Sequence, residues 1–137
     1  MYEIEKSSEH IKIIASASYI LMEKMCVEVE KFSNKKGFNS KEFALLLCVR
    51  EALTNAIRHG CKNDMSKTVE LIMTYEKDTM HIQITDDGNG FDWEQENHDT
   101  VYTLTTNGRG LNIIKIYSDE YQYNEEGNKI NITIKKD

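Results

Sequence analysis

A carboxylate, an amide and an imidazole recur every fourth residue in the run from Glu51 to Gly60, EALTNAIRHG. On a helix this spacing puts Glu51, Asn55 and His59 on one stripe, with Arg58 beside it. A carboxylate can take a proton from an attacking hydroxyl or water, and an amide oxygen is a hard ligand that a cation such as Mg2+ accepts alongside waters. Taken alone, the same spacing is that of a solvated helix face. Two glycine elements lie downstream: Asp86-Asp87-Gly88-Asn89-Gly90, a D-x-G-x-G, and Gly108-Arg109-Gly110-Leu111, a G-x-G. An ionised aspartate only accepts hydrogen bonds and so can read an amino group, while a helix opening after a G-x-G offers unpaired amides to an anion. The chain contains no G-x-x-x-x-G-K-[ST], so it is not a P-loop protein.

These residues need elements to position them. Phe43, Leu46, Leu47, Leu53 and Ile57 recur at helical spacing, which predicts an amphipathic helix packed through that face and carrying Glu51 and Asn55. Asn39 is its expected cap, with Glu42 completing a capping box. Upstream, Ile11, Ile14, Ala15, Ser18, Leu21, Met22, Met25 and Val29 predict a first long helix from about Ser8 to Phe32, preceded by a short strand at Tyr2–Ile4 and stopped by Asn34-Lys35-Lys36-Gly37.

Beyond Lys67 the period switches to two. Val69, Leu71, Met73 and Tyr75, then Met80, Ile82 and Ile84, predict an antiparallel hairpin turning at Glu76-Lys77-Asp78. By parity Asp86 points to the apolar face and Asp87 away from it, and an inward carboxylate asks for a partner. Gly88 to Gly110 shows no sustained period, as a lid would. Leu111, Ile113, Ile114, Ile116 and Tyr117 predict a short helix, and Tyr121 and Tyr123, then Ile130, Ile132 and Ile134, two strands around Glu125-Glu126-Gly127-Asn128. That order predicts an α+β two-layer sandwich, helices packed on one face of a mixed, mostly antiparallel sheet.

At 137 residues the chain reads as one domain, residues 1–137, with a core of its own. It has no bilayer-length apolar run and no signal-peptide pattern at Met1–Lys6, which predicts a cytoplasmic protein with no membrane partner. Cys26, Cys48 and Cys61 are odd in number and lack C-x-x-C spacing, as core thiols would be. A net charge of -6 argues against a general nucleic-acid surface.

The three elements together resemble the GHKL, or Bergerat-fold, ATP-binding superfamily that includes DNA gyrase, sensor histidine kinases and mismatch-repair ATPases, with the ATP-site motifs within residues 39–136. The form Asn55-Ala56-Ile57-Arg58-His59-Gly60 and the compact size are most similar to bacterial anti-sigma factor serine kinases. The resemblance implies ATP and Mg2+ as cofactors. It implies that Asn55 holds the metal against the phosphates, that Glu51 is the catalytic base, and that Asp86 accepts from the adenine amine while Gly88 and Gly90 let the backbone approach the base. Gly108 and Gly110 would shape the lid and present amides to phosphate, with Thr106, Arg109 and Leu111 in the same nucleotide-contacting set.

The partners implied are a small anti-anti-sigma-type acceptor protein, phosphorylated on serine, a sigma factor that is sequestered, and a second copy of the chain. A sensor histidine kinase is disfavoured on other grounds: His10, the only early histidine, has no following proline and no second helix expected before the ATP site. An ATP-dependent protein-binding module with little phosphoryl transfer is the other reading left open, as are the roles of Arg58 and His59.

Overall fold

The computed structural model describes residues 1–88 and 106–137, with side chains of the last helix described from residue 112 onward. The elements are β1 (Tyr2–Lys6), β2 (His10–Ser16), α1 (Tyr19–Lys35), a 3-10 turn (Asn39–Lys41), α2 (Glu42–Asn55), a π-turn (Ala56–Gly60), β3 (Thr68–Glu76), β4 (Thr79–Asp86), α3 (Thr106–Tyr117), β5 (Glu120–Tyr123) and β6 (Lys129–Lys135). The six strands form one sheet in the order β1-β2-β3-β4-β6-β5. Every described pairing is antiparallel, so the expected mixed sheet has no parallel component among the described residues.

Register lays down the core in rows. Ile13 pairs with Leu71, Leu71 with Ile84 and Ile84 with Ile130; the neighbouring row runs Ile11, Met73, Ile82, Ile132. All eight are buried. Their alternates, such as Lys12, Thr74, His81 and Asn131, lie on the more open face, as period two requires. The helices cover the apolar face, with Met25 and Val29 from α1 and Leu45, Cys48, Val49 and Leu53 from α2 in the same core.

The first expected helix is corrected: its opening third is strand β2. Ile11, Ile14, Ala15 and Ser18 satisfy a helical period, but Ile11, Ile13 and Ala15 equally satisfy a period of two. Pairing on both sides, with β1 and β3, decides for the strand. Ser18 then caps α1, its Oγ accepting from the Leu21 amide at 3.4 Å. The helix ends where expected, with Gly37 at φ +83°.

The capping box is corrected as well. Asn39 sits in the 3-10 turn, and Lys41, at the cap position of α2, makes no side-chain cap bond. Parity in the hairpin is as expected: Asp86 is buried and Asp87 exposed. Cys26, Cys48 and Cys61 are buried and free.

Candidate nucleotide site

Asp86 ends the inward row of β4 and is only 5% exposed. Its backbone amide donates to the Asn128 carbonyl at 2.9 Å, and Asn128 Nδ2 donates to its carbonyl at 3.4 Å. The turn that supplies Asn128 is itself tied down. Asn124 Oδ1 accepts from the amides of Gly127, Asn128 and Lys129, and Asn124 Nδ2 donates to Asn128 Oδ1 at 2.7 Å. Strand β4 is thus held at the residue where it stops.

The carboxylate faces glycine backbone. The Gly88 amide donates to Asp86 Oδ1 at 2.9 Å. A Cβ on Gly60 would overlap the Asp86 carboxylate, and a Cβ on Gly88 would overlap the Gly60 carbonyl. Both positions therefore need glycine for close approach rather than for an unusual φ. Burial pushes the Asp86 carboxyl up to about 6, assisted by the charge of Asp87 and opposed by the Gly88 amide and Lys67. A small crevice beside it is lined by Ala52 of α2, by Ala56 of the π-turn, by Tyr123, and by Gly127 and Asn128 of the turn.

A carboxyl whose folded value lies above its ordinary 3.8 stabilises the fold most below that value and loses its contribution as pH rises through about 6. Asp86→Asn removes this buried charge. We expect the nucleotide-free variant to melt a few degrees higher than wild type at pH 7, and to lack the decline in stability between about pH 4 and 6. Thermal unfolding across that range checks this, and identical pH profiles would refute it.

Asp87, pointing away, accepts from the Thr68 amide at 3.1 Å and its hydroxyl at 3.4 Å. The Cys61 thiol lies 3.9 Å from Asp87 Oδ1. Burial, with the charges of Asp86 and Asp87, pushes that thiol up to about 11, so it packs here as a neutral group. These bonds anchor the segment leaving α2 to the base of β4.

On α2, Asn55 is 3% exposed. Glu51, one turn earlier, is partly exposed on the same stripe. The stripe does not continue regularly to His59, because the π-turn intervenes; the Cys61 amide donates to the Ala56 carbonyl, five residues back, at 2.8 Å. That wide turn carries Gly60 against Asp86 and so joins the end of α2 to the end of β4. Arg58 Nε donates to His59 Nε2 at 3.4 Å.

The remaining sequence candidates lie elsewhere. Gly90 falls outside the described residues, as do Trp93 and Tyr102 of the expected lid. Helix α3 begins at Thr106, two residues ahead of Gly108, so the G-x-G sits within its first turns instead of preceding it. Gly108 remains in the first turn, where amides have no partner within the helix. Of Thr106, Arg109 and Leu111 only the helical backbone is described. Gly60 and, within its turn, Asn128 carry no role in the sequence pattern, and Asn124 does not stand out there at all. For these last two the available signal was asparagines bracketing a glycine turn, which is how side-chain amides cap backbone turns.

A family model described as a histidine kinase-like ATPase domain matches residues 15–134, most of the chain. The chain belongs to the histidine kinase-like ATPase family. Among relatives of this ATPase domain, an anti-sigma F factor of Anoxybacillus flavithermus is 37% identical over 76 residues, 53% of this chain and 52% of that protein. The serine-protein kinase RsbW of Bacillus subtilis is 29% identical over 97 residues, 64% of this chain and 61% of that protein. An anti-sigma F factor of Clostridium perfringens is 32% identical over 93 residues, 64% of this chain and 66% of that protein. The matches thus span between about half and two thirds of these relatives. Membership of an ATPase family implies use of ATP. No described helix is long and apolar enough to cross a membrane.

Proposed function

We propose that this ATPase domain is a serine/threonine-protein kinase of the anti-sigma factor type, which transfers the ATP γ-phosphate to a serine of a small antagonist protein and sequesters a sigma factor, working in the cytoplasm as a homodimer. The observation that carries the reading is the contact of Gly60 with Asp86. It brings the helix bearing Glu51 and Asn55 to the strand end that carries a buried acceptor, with glycine backbone between them. The names of the relatives, anti-sigma F factor and serine-protein kinase, support the assignment.

In this reading Asp86 accepts from the adenine amine, Gly88 and Gly90 admit the base, and Thr106, Gly108, Arg109, Gly110 and Leu111 face the phosphates. The described residues contain no group of three or more His, Cys, Asp or Glu able to hold a metal. A cation shared between the Asn55 oxygen and phosphate oxygens fits the donors of this site. Bound there, Mg2+ would neutralise charge on the transferring phosphoryl group. Glu51 takes the proton of the acceptor serine as its Oγ bonds to the γ-phosphorus, and the bond to the bridging oxygen breaks to release ADP.

Transfer of labelled γ-phosphate from ATP to small acceptor proteins of the same genome tests this. A labelled phosphoserine product is expected; ATP binding without transfer to any acceptor would reduce the protein to an ATP-dependent binding module. Asn55→Ala is expected to lose the Mg2+-dependent part of ATP affinity, about tenfold or more for a hydrogen-bonded or ligating oxygen removed from a charged centre. Calorimetry with and without the metal checks it, and equal affinities of variant and wild type in both conditions would remove Asn55 from the site.

A further inference from the structure

Of the α2 row expected to pack, Leu53 and Ile57 are buried, Leu46 and Leu47 are partly buried, and Phe43 is open. Phe43 is 69% exposed and Ile116, at the end of α3, is 71% exposed. Phe43 packs edge-on against Tyr117, with ring centroids 5.7 Å apart. Phe43, Leu46, Leu47 and Arg50, at helical positions i, i+3, i+4 and i+7, line a groove with a volume of about 360 Å³. The buried side of the same helix is a different row, Leu45, Cys48, Val49, Ala52 and Leu53. Helix α2 is thus apolar on two sides: one is buried in the core, and the other is partly buried at Leu46 and Leu47 and open at Phe43.

We infer that this outer face of α2, with the end of α3, is a docking groove for an amphipathic helix of a partner protein whose apolar ridge is flanked by lysine or arginine. An i, i+3, i+4, i+7 row beside a second helix end presents a ridge and a groove of the kind another helix fills. Clustered exposed apolar side chains of this size mark interaction surfaces more often than plain solvent contact.

The charge of the partner follows from the rim. Glu42 lines the groove, and its carboxyl, by a hydrogen bond first and by like charge second, pushes the Glu30 carboxyl of α1 upward. Arg50, the cation that lines the groove, is already paired with Glu23. A cation brought by the partner relieves that repulsion, whereas an acidic flank adds to it. The docking face lies outside the set of residues proposed to bind nucleotide, so the inference stands apart from that assignment.

The test uses the full chain, isotope-labelled, and two synthetic helical peptides of about 18 residues. Both carry leucines at i, i+3, i+4 and i+7; one has lysines along a flank and its twin has glutamates. The lysine peptide is expected to shift the amides of Phe43, Leu46, Leu47 and Tyr117, and to bind at least about tenfold more tightly than its twin. Phe43→Asp and, separately, Ile116→Asp should each weaken it about tenfold. Both side chains are exposed, so thermal midpoints should stay near wild type. The paired change Glu30→Lys with Glu42→Lys should invert the preference between the peptides. Equal binding of the twins, or unchanged binding by both aspartate variants, would overturn the proposal. So would self-association without peptide that Phe43→Asp abolishes, because a second copy would then be the occupant.

Discussion

Glu51→Ala is expected to bind Mg-ATP with nearly wild-type affinity and to lose phosphoryl transfer by about 10²- to 10⁴-fold, the range of a positioned general base. That loss corresponds to about 3–5 kcal/mol of the barrier. Little else should change at this position. Glu51 is only partly buried, alanine favours the helix, and the buried groups it influences respond mildly. Cys48, whose thiol burial and the Glu51 charge push up to about 12, stays neutral either way. Glu51→Gln keeps the shape and hydrogen-bonding reach while removing the basic oxygen, so it should lose transfer to the same extent. Steady-state transfer rates beside ATP titrations decide the matter. If either variant lost affinity in proportion to rate, Glu51 would be a binding residue and the assignment as base would fall.

Much of this site was legible because its signals are local. The outward and inward parity of Asp86 and Asp87 follows from the strand period alone, and the structure places Asp86 in the core and Asp87 against Thr68. The hairpin of β3 and β4 and the final pair β5 and β6 were also legible, since alternating apolar residues and short turns leave one reading open. Residues 8–18 were not. There Ile11, Ile14 and Ala15 fit a helix as well as Ile11, Ile13 and Ala15 fit a strand, and the choice belongs to partners more than fifty residues away, Leu71 and Met73 on β3. The α2 face was only half legible for a related reason: Leu53 and Ile57 of the expected row are buried, whereas Phe43 is exposed. Phe43, Leu46 and Leu47 form as good an apolar row as Leu45, Cys48 and Val49, and periodicity does not say which row meets the sheet. Cores are chosen by tertiary fit, which a single sequence carries only indirectly.

The coupling between α2 and β4 was the least visible part, because it depends on a π-turn and on backbone meeting backbone. Nothing in the spacing of Asn55 and Gly60 announces the extra residue in that turn. Once it is formed, the Cys61 amide bonds five residues back, Gly60 reaches Asp86, and Asp87 fastens the following segment through Thr68. The catalytic stripe and the adenine-reading carboxylate proposed above then share one rigid junction. Their relative placement depends on two glycines more than on any polar bond.

Gly88→Ala is accordingly expected to be the most damaging single substitution for nucleotide binding. The added Cβ would fall inside the Gly60 carbonyl, a backbone group that cannot swing aside as a flexible side chain would. Either the π-turn or the end of β4 must move. Movement of Gly88 breaks its amide bond to Asp86 Oδ1, and movement of Gly60 withdraws the wall that the carboxylate rests against. Overpacking of this kind costs about 1–3 kcal/mol of stability. Leaving the Asp86 acceptor misplaced costs a further 1–3 kcal/mol, or about 5- to 150-fold, in ATP affinity. Gly37→Ala supplies the contrast. It strains a φ of +83° at the end of α1, where the nearest obstruction is the Lys136 side chain, so it should lower the melting temperature while ATP affinity holds. Calorimetric titration of both variants with Mg-ATP, below their melting temperatures, separates the two effects. Wild-type affinity in Gly88→Ala would mean that the junction between the π-turn and β4 does not shape the nucleotide site.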